Sequence, residues 1–211
     1  AEGNLSAMNV LICRGAKFSF FLLLFLSLPV MFETNTLLHW WLGIVPEHTV
    51  KFFRLTMVTS MLTVLGNTGV TACMASGNIK NYTIILSSIG LLVFPLTVLA
   101  YKFGSPAESC YVVYIMVYSV INIVRLFLMK RLVHFPIMMY VNRVIVPIIM
   151  VSMTSLVLPT LSYLFLSEGA LRFLITAFLC IIGVVLGVVM FGFTRGERAA
   201  IFKTVKSKLT W

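Results

Sequence analysis

Residues 50–82 read VKFFRLTMVTSMLTVLGNTGVTACMASGNIKNY. The stretch opens beside the basic residues Lys51 and Arg54. It then runs about as long as a bilayer is thick, roughly 20 residues at ~1.5 Å each. It closes in the polar turn Gly77-Asn78-Ile79-Lys80. Its interior carries Thr56, Thr59, Ser60, Thr63, Gly66, Asn67, Thr68, Gly69 and Thr71, where a lipid-facing helix carries Leu and Ile. Thr56, Ser60, Thr63, Asn67 and Thr71 recur at three- and four-residue steps and so share one helical face. A polar stripe in hydrocarbon is expensive unless it faces protein or a water-filled cavity. Two readings stay open for it. The stripe lines a cavity, or it serves helix packing alone, its hydroxyls bonded back to the preceding turn.

The surrounding chain decides the solvent. Of 211 residues 60% are hydrophobic and only 10% are charged, and the mean hydropathy is +1.05. Long apolar runs of this kind belong to an all-α integral membrane protein, not to the short alternating strands of an outer-membrane barrel. Six spans are expected, at about 17–32, 50–76, 82–101, 109–129, 140–166 and 170–193. Residues 1–16 then form a loop, 17–194 a helical membrane domain, and 195–211 a basic amphipathic tail. In that tail Ile201, Phe202, Val205 and Leu209 share one helical face with lysines between, which suits an anionic membrane surface. Pro29, Pro95, Pro147 and Pro159 fall within or near span ends, where each removes a backbone donor and can kink its helix.

The net charge of +10 is a topology signal before it is a reason to invoke nucleic acid. Assigning loops alternately to two sides places Arg14, Lys17, Lys80, Arg125, Lys130, Arg131, Arg143 and the tail's Arg195, Arg198, Lys203, Lys206 and Lys208 together. Only Lys51, Arg54, Lys102 and Arg172 fall on the other side, with Glu33, Glu47, Glu108 and Glu168. Twelve basic residues against four make the first side cytoplasmic by the positive-inside rule, and both ends of the chain with it. Trp40 and Trp41 on the other side suit a short interfacial segment. His39 and His48 read as surface residues. Cys13, Cys73, Cys110 and Cys180 stand singly, without metal-ligand spacing, and read as small buried hydrophobes.

Catalytic constellations are absent from the sequence. It has no paired acids within a span, no Ser-His-Asp set, no HExxH and no glycine-rich phosphate loop, so neither an enzyme nor a cofactor is expected. Nor is there a membrane-embedded Asp or Glu of the kind a proton- or sodium-coupled antiporter uses. What the spans hold is arginine. Arg54, Arg125 and Arg143 lie near span ends, where snorkelling and topology explain them, as they also explain Arg172. The functional alternative is an anionic headgroup, because guanidinium grips phosphate bidentately. Asn122, one turn before Arg125, extends such a contact, and Thr63 and Asn67 are the candidates for a cavity wall.

KFSFFLLLFLSLPVMFET, LHWWLGIVPEHTVKFFRL, TACMASGNIKNY and SPAESCYVVYIMVYSVINIVRLFLMKR resemble the distal half of bacterial polysaccharide and O-antigen flippases. These are the Wzx-like members of the multidrug/oligosaccharidyl-lipid/polysaccharide exporter superfamily, related to MATE-like transporters. The A-x-G-x-I-K-x-Y turn at 75–82 is the most specific part, and the resemblance covers nearly the whole chain. It implies a transporter of 12–14 helices in two lobes. This chain would then supply the last four helices of the second lobe plus an extra C-terminal pair, and residues 1–15 would correspond to a cytoplasmic loop. A missing N-terminal lobe would be its partner, an expectation that the opening AEGN, without Met, also suits. The resemblance further implies an inner-membrane protein that carries undecaprenyl-diphosphate-linked oligosaccharide between leaflets by alternating access. The alternatives are a multidrug or cation antiporter of the same superfamily and a membrane-embedded glycan-assembly enzyme.

Overall fold

The computed structural model describes residues 5–75, 79–167, 169–194 and 197, and their regular structure is all helical, with no strand among them. The helices are α1 (Leu5–Phe32), α2 (Thr34–Leu42), α3 (Thr49–Ala75), α4 (Ile79–Leu91), α5 (Val93–Lys102), α6 (Ser109–Val133), α7 (Ile137–Tyr140), α8 (Val146–Phe165) and α9 (Ala170–Gly187). π-helical turns at Val141–Ile145 and Val188–Gly192 join α7 to α8 and extend α9. Of the polar turn, Gly77 and Asn78 lie outside the described residues, as does the amphipathic tail except for Glu197, while Ile79 and Lys80 open α4.

The loop expected over 1–16 is corrected: the chain is helical from Leu5. Met8, Ile12, Ala16, Phe20, Leu24 and Leu28 recur every four residues and form one packed seam, so helix formation outlasts the hydrophobic stretch. Pro95 explains the break between α4 and α5. Lacking an N–H, it cannot bond the Leu91 carbonyl, and the Leu92 N–H turns back to the Ile89 carbonyl at 3.1 Å. Pro147 likewise follows the π turn at Val141–Ile145, where a missing i→i−4 donor loosens the ladder.

Among the described residues five segments are long and apolar enough to cross a membrane: Ser6–Phe32, Lys80–Lys102, Ser109–Val133, Ile137–Phe165 and Ala170–Gly192. Six were expected. α3, the sixth, has the length, at 27 residues, and packs along α1 and α6. α1 sits centrally, with α8 and α9 on one flank and α3 on the other; α6 lies beyond α3, and α4–α5 pack on α6. Outside the seams the large apolar side chains are exposed, among them Leu22, Phe94, Phe127, Met153 and Leu174. A water-soluble fold hides such residues, whereas in a bilayer they face hydrocarbon.

α8 and α9 make the closest helix pair. Val151, Ser155, Pro159 and Ser162 of α8 face Thr176, Cys180, Gly183 and Gly187 of α9, all buried. The Ser162 and Thr176 hydroxyls bond across the seam at 3.2 Å. A Cβ on Gly183 would stand 3.0 Å from the Ser155 carbonyl oxygen, so the glycine sets the approach of the two backbones. Gly183→Leu should therefore force the helices apart and lower the thermal unfolding temperature of the protein in detergent. Leu174 lies on the exposed face of α9, so Leu174→Ala should change that temperature little.

The ion pairs join segments at the same end of the bundle. Arg172 meets Glu33, and His48 and Lys51 meet Glu108. At the opposite end Arg14 and Lys17 meet Glu197. Every pair falls within one of the two sides that loop alternation defines. Arg172, read from sequence as a snorkelling residue, is buried in a bidentate pair with Glu33, at 2.9 and 3.2 Å, with its guanidinium over the Tyr163 ring. His48, read as an unpaired surface residue, bonds the Glu108 carboxylate at 2.8 Å.

Glu108's own backbone N–H, then His48 and Lys51, hold its carboxyl down at about 2. A depressed carboxyl stabilises the fold fully above its ordinary range and loses that contribution as pH falls toward the folded value. The tie between the 43–48 and 103–108 segments should thus persist at pH 5 and weaken between about 4 and 2. Melting curves of wild type and Glu108→Gln across pH 6 to 3 check this. Wild type should lose its advantage over the variant only at the acid end.

Candidate functional site

α3 and α6 run side by side, and the glycines of α3 decide what lies between them. Asn122 donates its amide to the Leu62 carbonyl at 3.0 Å, and Tyr140 donates its hydroxyl to the Leu65 carbonyl at 2.9 Å. Arg125 lies across Gly66, where a β-carbon would fall on its guanidinium, and Met129 covers Gly69. Leu65, Gly66, Gly69, Asn122, Arg125 and Tyr140 contribute to the wall of a cavity of about 210 Å³.

This cavity is mostly apolar, yet it holds a cation. Arg125 donates from one terminal nitrogen to the Asn122 side-chain oxygen at 3.2 Å, while its buried Nε has no hydrogen-bond partner. Cys73, Tyr82 and Tyr140 are among the titratable groups within reach of its charge. The buried Tyr82 hydroxyl lies near the guanidinium without a well-formed hydrogen bond. Among the described residues no carboxylate pairs with Arg125, since Glu33, Glu47, Glu108 and Glu197 engage other bases. Arg125 is half-buried; a guanidinium drawn partly out of water without a counter-charge is costly, and an anion entering the cavity would relieve that cost.

The other predicted arginines are elsewhere. Arg54 donates to the Met31 carbonyl at 3.0 Å and the Phe32 carbonyl at 3.4 Å, closing the last turn of α1 as cations at helix C-termini do. Arg143 is exposed on the π turn and lines a small opening with Arg14, Lys17 and Glu197. There burial pushes the Glu197 carboxyl up, but Lys17 and the Thr194 N–H outweigh it and hold the group at about 2. Thr194 and Glu197 exchange hydrogen bonds reciprocally, in the manner of a capping box. The three arginines predicted to act together thus occupy the two ends and the interior of the bundle, and only Arg125 keeps Asn122 as its neighbour.

The polar stripe divides in the same way. Thr56, Ser60, Thr63 and Thr71 each donate to a carbonyl of their own helix, as the packing reading required. Yet Thr56, Asn67 and Thr71 are exposed among the described residues, so these three do not serve packing there, while Ser60 and Thr63 are half-buried. Thr63 stands beside the Tyr114 hydroxyl. Sequence reasoning missed Tyr140 at the cavity and Tyr82 near the Arg125 guanidinium, because a tyrosine in an apolar span reads equally well as lipid-facing.

Comparison of the chain with family models, with curated proteins and with solved structures returns no match to any of them.

Proposed function

We propose that this chain is part of a flippase that moves a polyprenyl-diphosphate-linked oligosaccharide from the cytoplasmic to the outer leaflet of a bacterial inner membrane. The observation that carries the reading is Arg125, a cation without a carboxylate partner among the described residues, in a cavity between membrane helices. A lipid-linked diphosphate headgroup carried between leaflets is an anion that would pass this cavity, and guanidinium is its best single-residue ligand. The exposed polar stripe of α3 supports the same reading. A 27-residue helix packed between spanning helices crosses with them, and its hydroxylated face then needs water, sugar or another lobe of protein, not lipid. Loop charge makes the end holding Arg14, Lys17 and Arg143 cytoplasmic. Outward movement of an anionic headgroup is favoured by an inside-negative potential, by about 2.3 kcal/mol per charge per 100 mV, without any embedded acid.

Disrupting the gene in its host tests this. Lipid-linked oligosaccharide should accumulate in the cytoplasmic leaflet while surface polysaccharide is lost. Normal surface glycan together with altered drug sensitivity would overturn the reading in favour of an antiporter.

A further inference from the structure

Tyr114 and Tyr118 of α6 stack face to face, ring centroids 3.9 Å apart and planes 14° from parallel. Aromatic pairs usually settle into offset or edge-to-face arrangements; in a parallel pair this close each ring covers one face of the other, and the outer ring faces are left for a further contact. Their hydroxyls lie against each other and beside Thr63, not on a backbone carbonyl as that of Tyr140 does. Both rings are half-buried. Tyr118 is about 13 Å along α6 from Ser109 at ~1.5 Å per residue, deeper than the headgroup level at which interfacial aromatics anchor a span.

Spacing links this pair to the cavity. Tyr114, Tyr118, Asn122 and Arg125 follow at steps of four, four and three, so they form one face of α6 about 16 Å long. The face carries an aromatic platform, then an amide, then the cation of the cavity. Opposite it α3 contributes Thr63 and, beneath the Arg125 guanidinium, Gly66.

We infer that this face is one continuous subsite for a glycan joined to a phosphate, in which the Tyr114–Tyr118 pair is the platform for a sugar ring. The inference rests on the flippase reading and names the part of that substrate each residue meets. A pyranose ring has an apolar face of C–H groups that lies on an aromatic ring, and its hydroxyls need donors and acceptors at the rim. The tyrosine rings supply the first; their hydroxyls, Thr63 and Asn122 supply the second. Arg125 takes the phosphate at the end nearer Lys130 and Arg131, where the lipid tail would lie in the cytoplasmic leaflet. The glycan then extends along α6 toward the opposite end.

The test uses the full-length protein in nanodiscs with two probes, a polyprenyl diphosphate carrying an oligosaccharide and the same lipid without sugar. The double variant Tyr114→Leu, Tyr118→Leu should lose about tenfold in affinity for the sugar-bearing lipid, the scale of one aromatic contact pair. It should bind the sugar-free lipid as wild type does, and Tyr118→Trp should keep the affinity for both. Equal loss on both lipids would assign the pair a structural role and overturn the inference, as would no loss on either. Wild type binding neither lipid would instead sink the flippase reading itself.

Discussion

Arg172→Leu should be the most destabilising single substitution in this chain. It would leave the Glu33 carboxylate, whose side chain is 1% exposed, without the two hydrogen bonds that Arg172 gives it. Thr36 donates one more, too little to hold a buried anion. Removing one partner of a buried pair costs on the order of 3–5 kcal/mol, because the charge left behind is neither solvated nor compensated. The double variant Glu33→Leu, Arg172→Leu should recover most of that loss, since two apolar residues leave no orphaned charge. Thermal unfolding of the three proteins in one detergent measures the effect. A single variant as stable as wild type would show that water reaches Glu33.

The second large effect is at Gly66. A methyl there would fall on the Arg125 guanidinium, so Gly66→Ala should displace the cation from the cavity without removing its charge from the protein. If Arg125 holds the anionic headgroup, the variant should lose at least about tenfold in affinity for a polyprenyl diphosphate, ~1.4 kcal/mol, and Arg125→Gln should lose as much. Asn67→Ala, the next residue but on the exposed side of α3, should leave headgroup affinity near that of wild type. Equal effects of the two α3 substitutions would place the phosphate elsewhere.

Much of the architecture was legible in the chain. Span lengths, the break at Pro95 and the division into two ends follow from hydropathy, a missing N–H and the alternation of loops. The ion pairs respect that division without having been used to make it. The start of α1 was not legible, because Asn9, Arg14 and Lys17 interrupt the apolar run while the four-residue seam beneath them continues. Nor were the pairs. Glu33 and Arg172 lie 139 residues apart, and no local pattern separates an arginine that snorkels from one that meets a buried acid. Arg54 shows the same limit from the other side, since it has a partner in the backbone of α1, which no composition rule counts. Arg125 and Asn122 were recognisable together because a single helical turn joins them, whereas the glycines that seat Arg125 belong to a different helix.

Arg125 as the headgroup cation of a lipid-linked oligosaccharide flippase is tested most directly by transport. The measurement is leaflet-resolved movement of a labelled polyprenyl-diphosphate oligosaccharide by the full-length protein in proteoliposomes, with Arg125→Gln beside wild type. Wild type should carry the lipid across, and the variant, equally well inserted and folded, should be slowed at least about tenfold, ~1.4 kcal/mol in the barrier. Equal transport by the two proteins would contradict the assignment of Arg125, and no transport by either would contradict the flippase reading itself.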